Sequence, residues 1–391
     1  MKKMIAMLLA VLMVLSLAAC GSKQESAPSN ESAESAGEKS VLLGLIGPMT
    51  GDYANYGTSV RNGVQIAVDE INAAGGVNGY TFTLSVQDSQ GDPDSAVSAY
   101  NKLMDDGMDV SLGCVFSGEA TSVITAAKAD DILIVTPSSS AKACIEGNEK
   151  AFRVCFNDPA QGTVSADYIV DNNLGSKVAV FYQSDIDYSA GLYETFKAEA
   201  AVKGLEIVSE QTFTAGSATD FSTQINAIRD SGCDVVFLPI YAAEASVFLT
   251  QAQGKLDNVI YFGCDGLDGI QTKVSDLALI EGLMMLTPFA ADAQDDATKA
   301  FVAKYDELYK AIPDQFAADG YDAIYALYDA IVKTGITADT PYEECCEKLV
   351  SVFPTMEVAG VTGTMTWNDK GDASKEPYAV VIKNGAYVGM E

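Results

Sequence analysis

From Val41 onward the chain alternates short apolar runs with amphipathic stretches of helical period. "VLLGLIG" (41–47) reads as a buried strand, and "SVRNGVQIAVDEINAAGG" then sets Val60, Val64, Ala67 and Ile71 on one helical face before a Gly75-Gly76 stop. "YTFTLSVQD" predicts the next strand. "GDPDSAVSAYNKLMDDG" predicts a helix capped by Asp92 with Pro93 at its first position. "MDVSLGCV" and "DILIVT" predict two further strands, separated by a helix from about residue 118 to 130. Strands alternating with helices in this way specify an α/β class, a parallel sheet covered on both faces.

The beat then restarts. "KVAVFY", "LEIVSEQTF", "DVVFLP", "VIYFG" and "GLMMLTPF" predict strands, with helices such as "SAGLYETFKAEAAVKG" and "DFSTQINAIRDSG" between them. About ten alternating units exceed what one open sheet usually holds, so two doubly wound parallel-sheet lobes are expected. After Pro288 the pattern turns helical through "ATKAFVAKYDELYKAI" and "AADGYDAIYALYDAIVKTG". It ends in short strands near "GTMTWNDKGD" and "YAVVIKNGAYVG".

The region before this pattern is of another kind. Residues 1–19 carry Lys2 and Lys3, an apolar stretch and small residues before Cys20, which reads as a signal peptide. Leu17, Ala18, Ala19 and Cys20 resemble the lipobox of bacterial lipoproteins, which implies lipidation at Cys20 and a membrane anchor in place of a span. Residues 20–40 are polar and Ser/Glu-rich, a flexible tether between lipid and domain. The soluble remainder is therefore expected outside the cytoplasmic membrane.

Charge and residue usage exclude several functions. The net charge is −30, and about −32 without Lys2 and Lys3, a surface that repels nucleic acid and anionic lipid. The chain has no histidine, which removes His-based triads and His-ligated zinc; no metal and no cofactor are expected. Seven cysteines follow Cys20, mostly beside apolar segments, and read as small buried residues; no disulfide is assigned.

Ligands of open parallel sheets bind beyond the carboxyl ends of the strands. In the first half the loops there are "PMTGDYANYGT", "FSGEAT" and "PSSSAKA"; in the second they are "QSDIDYSAG", "PIYAAEA" and "CDGLDG". Hydroxyls and N–H donors crowd the first set, while the second carries Tyr188, Tyr241 and Asp265. One wall suits a carboxylate and the other an ammonium.

These loops also carry a resemblance. "LIGPMTGDYANYG", "AVDEINAAGGVNG", "QDSQGDPDSAV", "ILIVTPSSSAKA", "FRVCFNDPAQG" and "ATDFSTQINAI", in this order, resemble signatures of the periplasmic leucine/isoleucine/valine-binding protein family over about residues 41–385. The resemblance implies the type I two-lobed fold with a three-strand hinge, and capture of a small amino acid, branched-chain type foremost, for an ABC permease and its ATPases. It implies that the chain is monomeric and not an enzyme. Its crossings fall near Asn157–Pro159, Pro288 and Thr364–Thr366, giving lobe 1 as 41–158 plus 289–364 and lobe 2 as 159–288 plus 365–391.

The resemblance also assigns roles. Ser117 falls where the family binds the α-carboxylate, and Ser138, Ser139 and Ser140 where backbone groups and the last hydroxyl complete head-group recognition. Tyr188 and Asp265 fall on ammonium-binding positions, and Tyr56, Tyr241 and Phe316 on aromatics that line or close the side-chain pocket. A serine opening a helix is also ordinary cap chemistry, and Asp265 before Gly266 also suits a turn. The chain departs from the family pattern with Asp265 for Glu, Tyr56 for Trp and Ser140 for Thr, and with Gly91 and Phe116 at the positions of a disulfide found in some members. Three alternatives stay open: a binder of another small carboxylate or amide, a sensory protein of the same fold, and a serine hydrolase, which the absence of His and of a G-x-S-x-G elbow disfavours.

Overall fold

Strand β1 (Lys39–Gly47) is buried along nearly its whole length, as a strand covered on both faces must be. A computed structural model describes residues 39–390; residues 1–19, Cys20, most of the tether and Glu391 lie outside the described residues. With β1, strands β2 (Tyr80–Asp88), β3 (Val110–Cys114), β4 (Leu133–Thr136) and β5 (Ala151–Arg153) form a sheet in the order β2-β1-β3-β4-β5, parallel throughout. Helices α1 (Ala54–Ala73), α2 (Pro93–Asp105) and α3 (Ser117–Ala126) connect them. Val60, Val64, Ala67 and Ile71 of α1 are all buried, as their spacing requires. Asp92 caps α2 by accepting the Ser95 N–H at 2.8 Å, with Pro93 at the first position.

After helix α4 (Asp158–Asp171) come β6 (Lys177–Gln183), α5 (Asp187–Lys203), β7 (Glu206–Phe213), α6 (Ser222–Ser231), β8 (Val235–Leu238), α7 (Ala242–Ala252), β9 (Ile260–Gly263) and β10 (Met284–Thr287). The chain then returns to the first lobe with α8 (Asp296–Tyr309), α9 (Gln315–Thr334) and α10 (Tyr342–Val352). A small antiparallel sheet follows, of β11 (Glu357–Gly360), β12 (Gly363–Trp367) and β13 (Ala373–Ser374). Finally β14 (Tyr378–Lys383) and β15 (Ala386–Gly389) complete a seven-stranded sheet, β15-β14-β10-β9-β8-β6-β7. Its core is parallel, but β14 and β15 join antiparallel, so the second sheet is mixed where a purely parallel one was expected.

The pairing moves one expected boundary. Residues 365–374 do not enter the second sheet: Trp367 Nε1 donates to the Arg153 carbonyl at 2.8 Å and the Arg153 N–H to the Gly371 carbonyl at 3.0 Å, both against β5. We therefore draw the third crossing at residues 375–377 instead of Thr364–Thr366. Lys375 stands at this crossing fully buried, paired with Asp319 of α9 at 2.6 Å and donating to the Thr362 hydroxyl. Burial outweighs the pull of Lys375 and pushes the Asp319 carboxyl up to about 7. Replacing Lys375 by Met strands that carboxyl, and unfolding in urea should show a loss of about 3 kcal/mol, the usual cost of breaking a buried pair.

Candidate functional site

Strands β3 and β4 are neighbours, so the loops that leave their carboxyl ends meet. The Ser117 Oγ, at the start of α3, accepts the Ala141 N–H at 3.1 Å, and the Ser138 Oγ donates to the Val115 carbonyl at 2.9 Å. Ser117, Ser138 and Ser140 line one side of a small cavity. Ser139 does not. Its hydroxyl turns back to the Cys114 carbonyl. The N-terminus of α3 opens beside these serines, a position that favours negative charge.

The opposite side comes from the second sheet. Tyr188, in the first turn of α5, donates its phenol to Asp265 Oδ1 at 2.7 Å and accepts the Gly266 N–H at 2.8 Å. The same Asp265 oxygen accepts from the Gly266 N–H at 2.8 Å. Only glycine fits at 266, since a Cβ there would stand 2.4 Å from the Tyr188 hydroxyl. Burial raises the Asp265 carboxyl from 3.8 to about 6, against the pull of Tyr188, Gln161 and the Gly266 amide.

The sequence reading missed two residues here. Asp158, the first residue of α4, is 1% exposed, and neither of its carboxylate oxygens has a hydrogen-bond partner among the described residues. Burial, then the charge of Asp265, pushes its carboxyl far above the ordinary value, against the pull of the nearby Ser140 hydroxyl and of Arg153. Its backbone N–H is tied to the Ser140 carbonyl at 3.0 Å, which holds it against the serine loop. In sequence, an Asp before Pro159 reads only as the acidic start of a helix; its lack of a partner is visible only in three dimensions. Phe116, noted in the sequence only for not being a cysteine, lines the cavity and stacks on Tyr241 with ring centroids 4.5 Å apart.

The aromatic positions divide into two roles. Tyr241 and Phe316 line the cavity, and Tyr241 also stacks on Tyr188 at 4.7 Å. Tyr56 stands behind them, edge-on to Phe316 at 4.9 Å and to Phe116 at 5.3 Å. Its hydroxyl donates to the Gly266 carbonyl at 2.7 Å and accepts the Ala242 N–H at 2.9 Å, joining the lobes. Further bonds join them: Gln315 N–H to Asp268 at 2.8 Å, Gln315 Nε2 to the Asp265 carbonyl at 3.0 Å, and Tyr53 to Glu244.

Two wound lobes clasping a small cavity, with serine hydroxyls on one face and the Asp265 carboxyl on the other, define a solute-binding module. The chain belongs to the periplasmic binding protein family, whose family model matches residues 40–386. It is similar to Leu/Ile/Val-binding protein homolog 3 of Brucella melitensis, 30% identical over 363 residues that cover 91% of this chain and 95% of the relative. Among solved structures, a leucine-binding protein from Thermotoga maritima matches with a TM-score of 0.81 at 27% identity, over 90% of this chain and 98% of that one. A branched-chain amino acid transporter substrate-binding protein from Streptococcus pneumoniae, solved with isoleucine, matches with a TM-score of 0.80 at 25% identity, over 90% and 100%. The chain is accordingly an extracytoplasmic solute-binding protein of the ABC-transporter type and not an enzyme. No helix among the described residues is long and apolar enough to cross a membrane.

Tyr56→Phe removes both interlobe bonds of that hydroxyl while keeping the ring. Isothermal titration of the bound solute should show affinity lower by about 1–2 kcal/mol, with the melting temperature of the unliganded protein little changed.

Proposed function

We propose that this chain captures a small amino acid of the branched-chain type between its lobes and presents the closed form to a membrane permease driven by ATPases. The observation that carries this reading is the convergence on one cavity of Ser117, Ser138 and Ser140 from one sheet and of Tyr188 and Asp265 from the other. The first group suits an α-carboxylate, through the Ser117 and Ser140 hydroxyls as donors, while Ser138, whose hydroxyl already donates to the Val115 carbonyl, shapes the wall. Asp265 suits an α-ammonium, with the buried Asp158 close behind it, and such a group supplies the positive charge that this wall lacks. Phe116, Tyr241 and Phe316 then enclose an aliphatic side chain, with Tyr56 bracing them from behind. Ser139 serves through its backbone alone. The relatives, a Leu/Ile/Val-binding protein homolog and a leucine-binding protein, support the same ligand class.

Both walls are satisfied together only when the lobes are closed, so the ligand shifts the open–closed equilibrium by its differential affinity for the two forms. The reading includes lipidation of Cys20, a tether through about residue 40 and action as a monomer.

A thermal-shift screen of residues 21–391 against the amino acids and small carboxylic acids tests the ligand class. Amino acids should raise the melting temperature. Acids without an ammonium that do so equally would remove the role given to Asp265 and Asp158. Ser117→Ala and Asp265→Ala should each weaken leucine binding by about 1–3 kcal/mol; unchanged affinity in both would place the site elsewhere. The pH dependence has a definite sign. Asp265 pairs with an ammonium only when ionised, and its carboxyl sits at about 6. Calorimetric affinity for leucine should hold above that pH and fall by up to about tenfold per pH unit below it.

A further inference from the structure

Arg153 ends β5, and its side chain is fully buried behind the serine loop. Its guanidinium donates to the carbonyls of Ser139 at 3.1 Å, of Ser140, and of Ala141 at 2.9 Å. Its Nε lies 2.9 Å from Asp372 Oδ1, an ion pair too bent to count as a hydrogen bond. The backbone of Arg153 is pinned as well, by Trp367 and Gly371 of the segment that holds Asp372.

Peptide geometry gives this clamp a consequence. In a planar trans peptide the C=O of one residue and the N–H of the next point opposite ways. Holding the carbonyls of 139, 140 and 141 toward Arg153 therefore turns the N–H groups of Ser140, Ala141 and Lys142 away from it. The Ala141 N–H is found on the Ser117 Oγ, on the cavity side. No Lys or Arg lines the cavity. Asp372 is 30% exposed, so water screens part of its compensating charge while Arg153 stays dry.

We propose that Arg153 is a positioning residue for anion recognition: it fixes the serine loop with its N–H groups toward the cavity and sets a buried positive charge behind them. The cleft thereby gains a preference for a carboxylate over a neutral amide of the same shape. Asp372 tempers that preference by offsetting the charge.

The inference rests on the amino-acid reading, and the test separates the two. Dissociation constants for L-leucine and L-leucinamide are measured by titration calorimetry, with competition for the weaker probe. Arg153→Met should lower the leucine-over-leucinamide preference about tenfold, the loss expected when a charged ligand group loses its aligned donor. Asp372→Asn leaves the three carbonyl bonds intact and removes the countercharge, so the preference should rise about threefold. Opposite signs mark the electrostatic role, because a merely structural arginine weakens both probes alike. Should Arg153→Met not fold, Asp372→Asn decides alone: a preference unchanged or lowered overturns the inference. Wild-type protein that binds neither probe overturns the amino-acid reading and the inference with it. Wild type that prefers leucine, with that preference unmoved in the variants, overturns the inference alone.

Discussion

Two buried carboxyl groups stand close together, Asp265 on the cavity wall and Asp158 behind it, and among the described residues no basic side chain lines that wall. An unpaired buried charge costs several kcal/mol, so each group must be neutralised by a proton or paired with a cation brought from outside. Asp265 partly solves the problem with the Tyr188 hydroxyl and the Gly266 amide, and its carboxyl stops at about 6. Asp158 has neither and is driven much higher. The other elements of the site fit around this imbalance: the aromatic box that excludes water, the glycine that lets Tyr188 approach, and the serine wall for the opposite charge.

That serine wall is knitted into a single piece. Ser117 takes an N–H from the next loop, Ser138 and Ser139 return hydroxyls to carbonyls at the end of β3, and Arg153 gathers the remaining carbonyls from behind. Fixed donors lose little freedom when a ligand arrives, which is how a small polar cavity gains affinity. The carboxylate wall is built on the other sheet, so the lobes divide the two halves of recognition between them.

The layered fold was legible because buried strands and one-sided helices carry different periods. Val60, Val64, Ala67 and Ile71, or Asp92 with Pro93, state their roles locally. What depended on long-range pairing was not legible. Residues 363–374 look like strands that could join either sheet, and only their bonds to Arg153 assign them to the first lobe. In the site, strand-end position brought the loops of Ser117, Ser138, Ser140, Tyr188 and Asp265 into view, but it could not say that Ser139 turns inward or that Tyr56 braces the pocket from behind. Asp158 was hidden by its ordinariness at a helix start.

The seven cysteines of the described region are all unpaired, and six of them are buried. Burial holds the thiols of Cys114, Cys155 and Cys264 far above their ordinary range and those of Cys144 and Cys346 at about 11, so at neutral pH almost none is thiolate. Among the described residues the domain is therefore held by packing and hydrogen bonds, with no disulfide contributing. A buried, protonated thiol is a poor partner for thiol–disulfide exchange, so these side chains act as small packing groups.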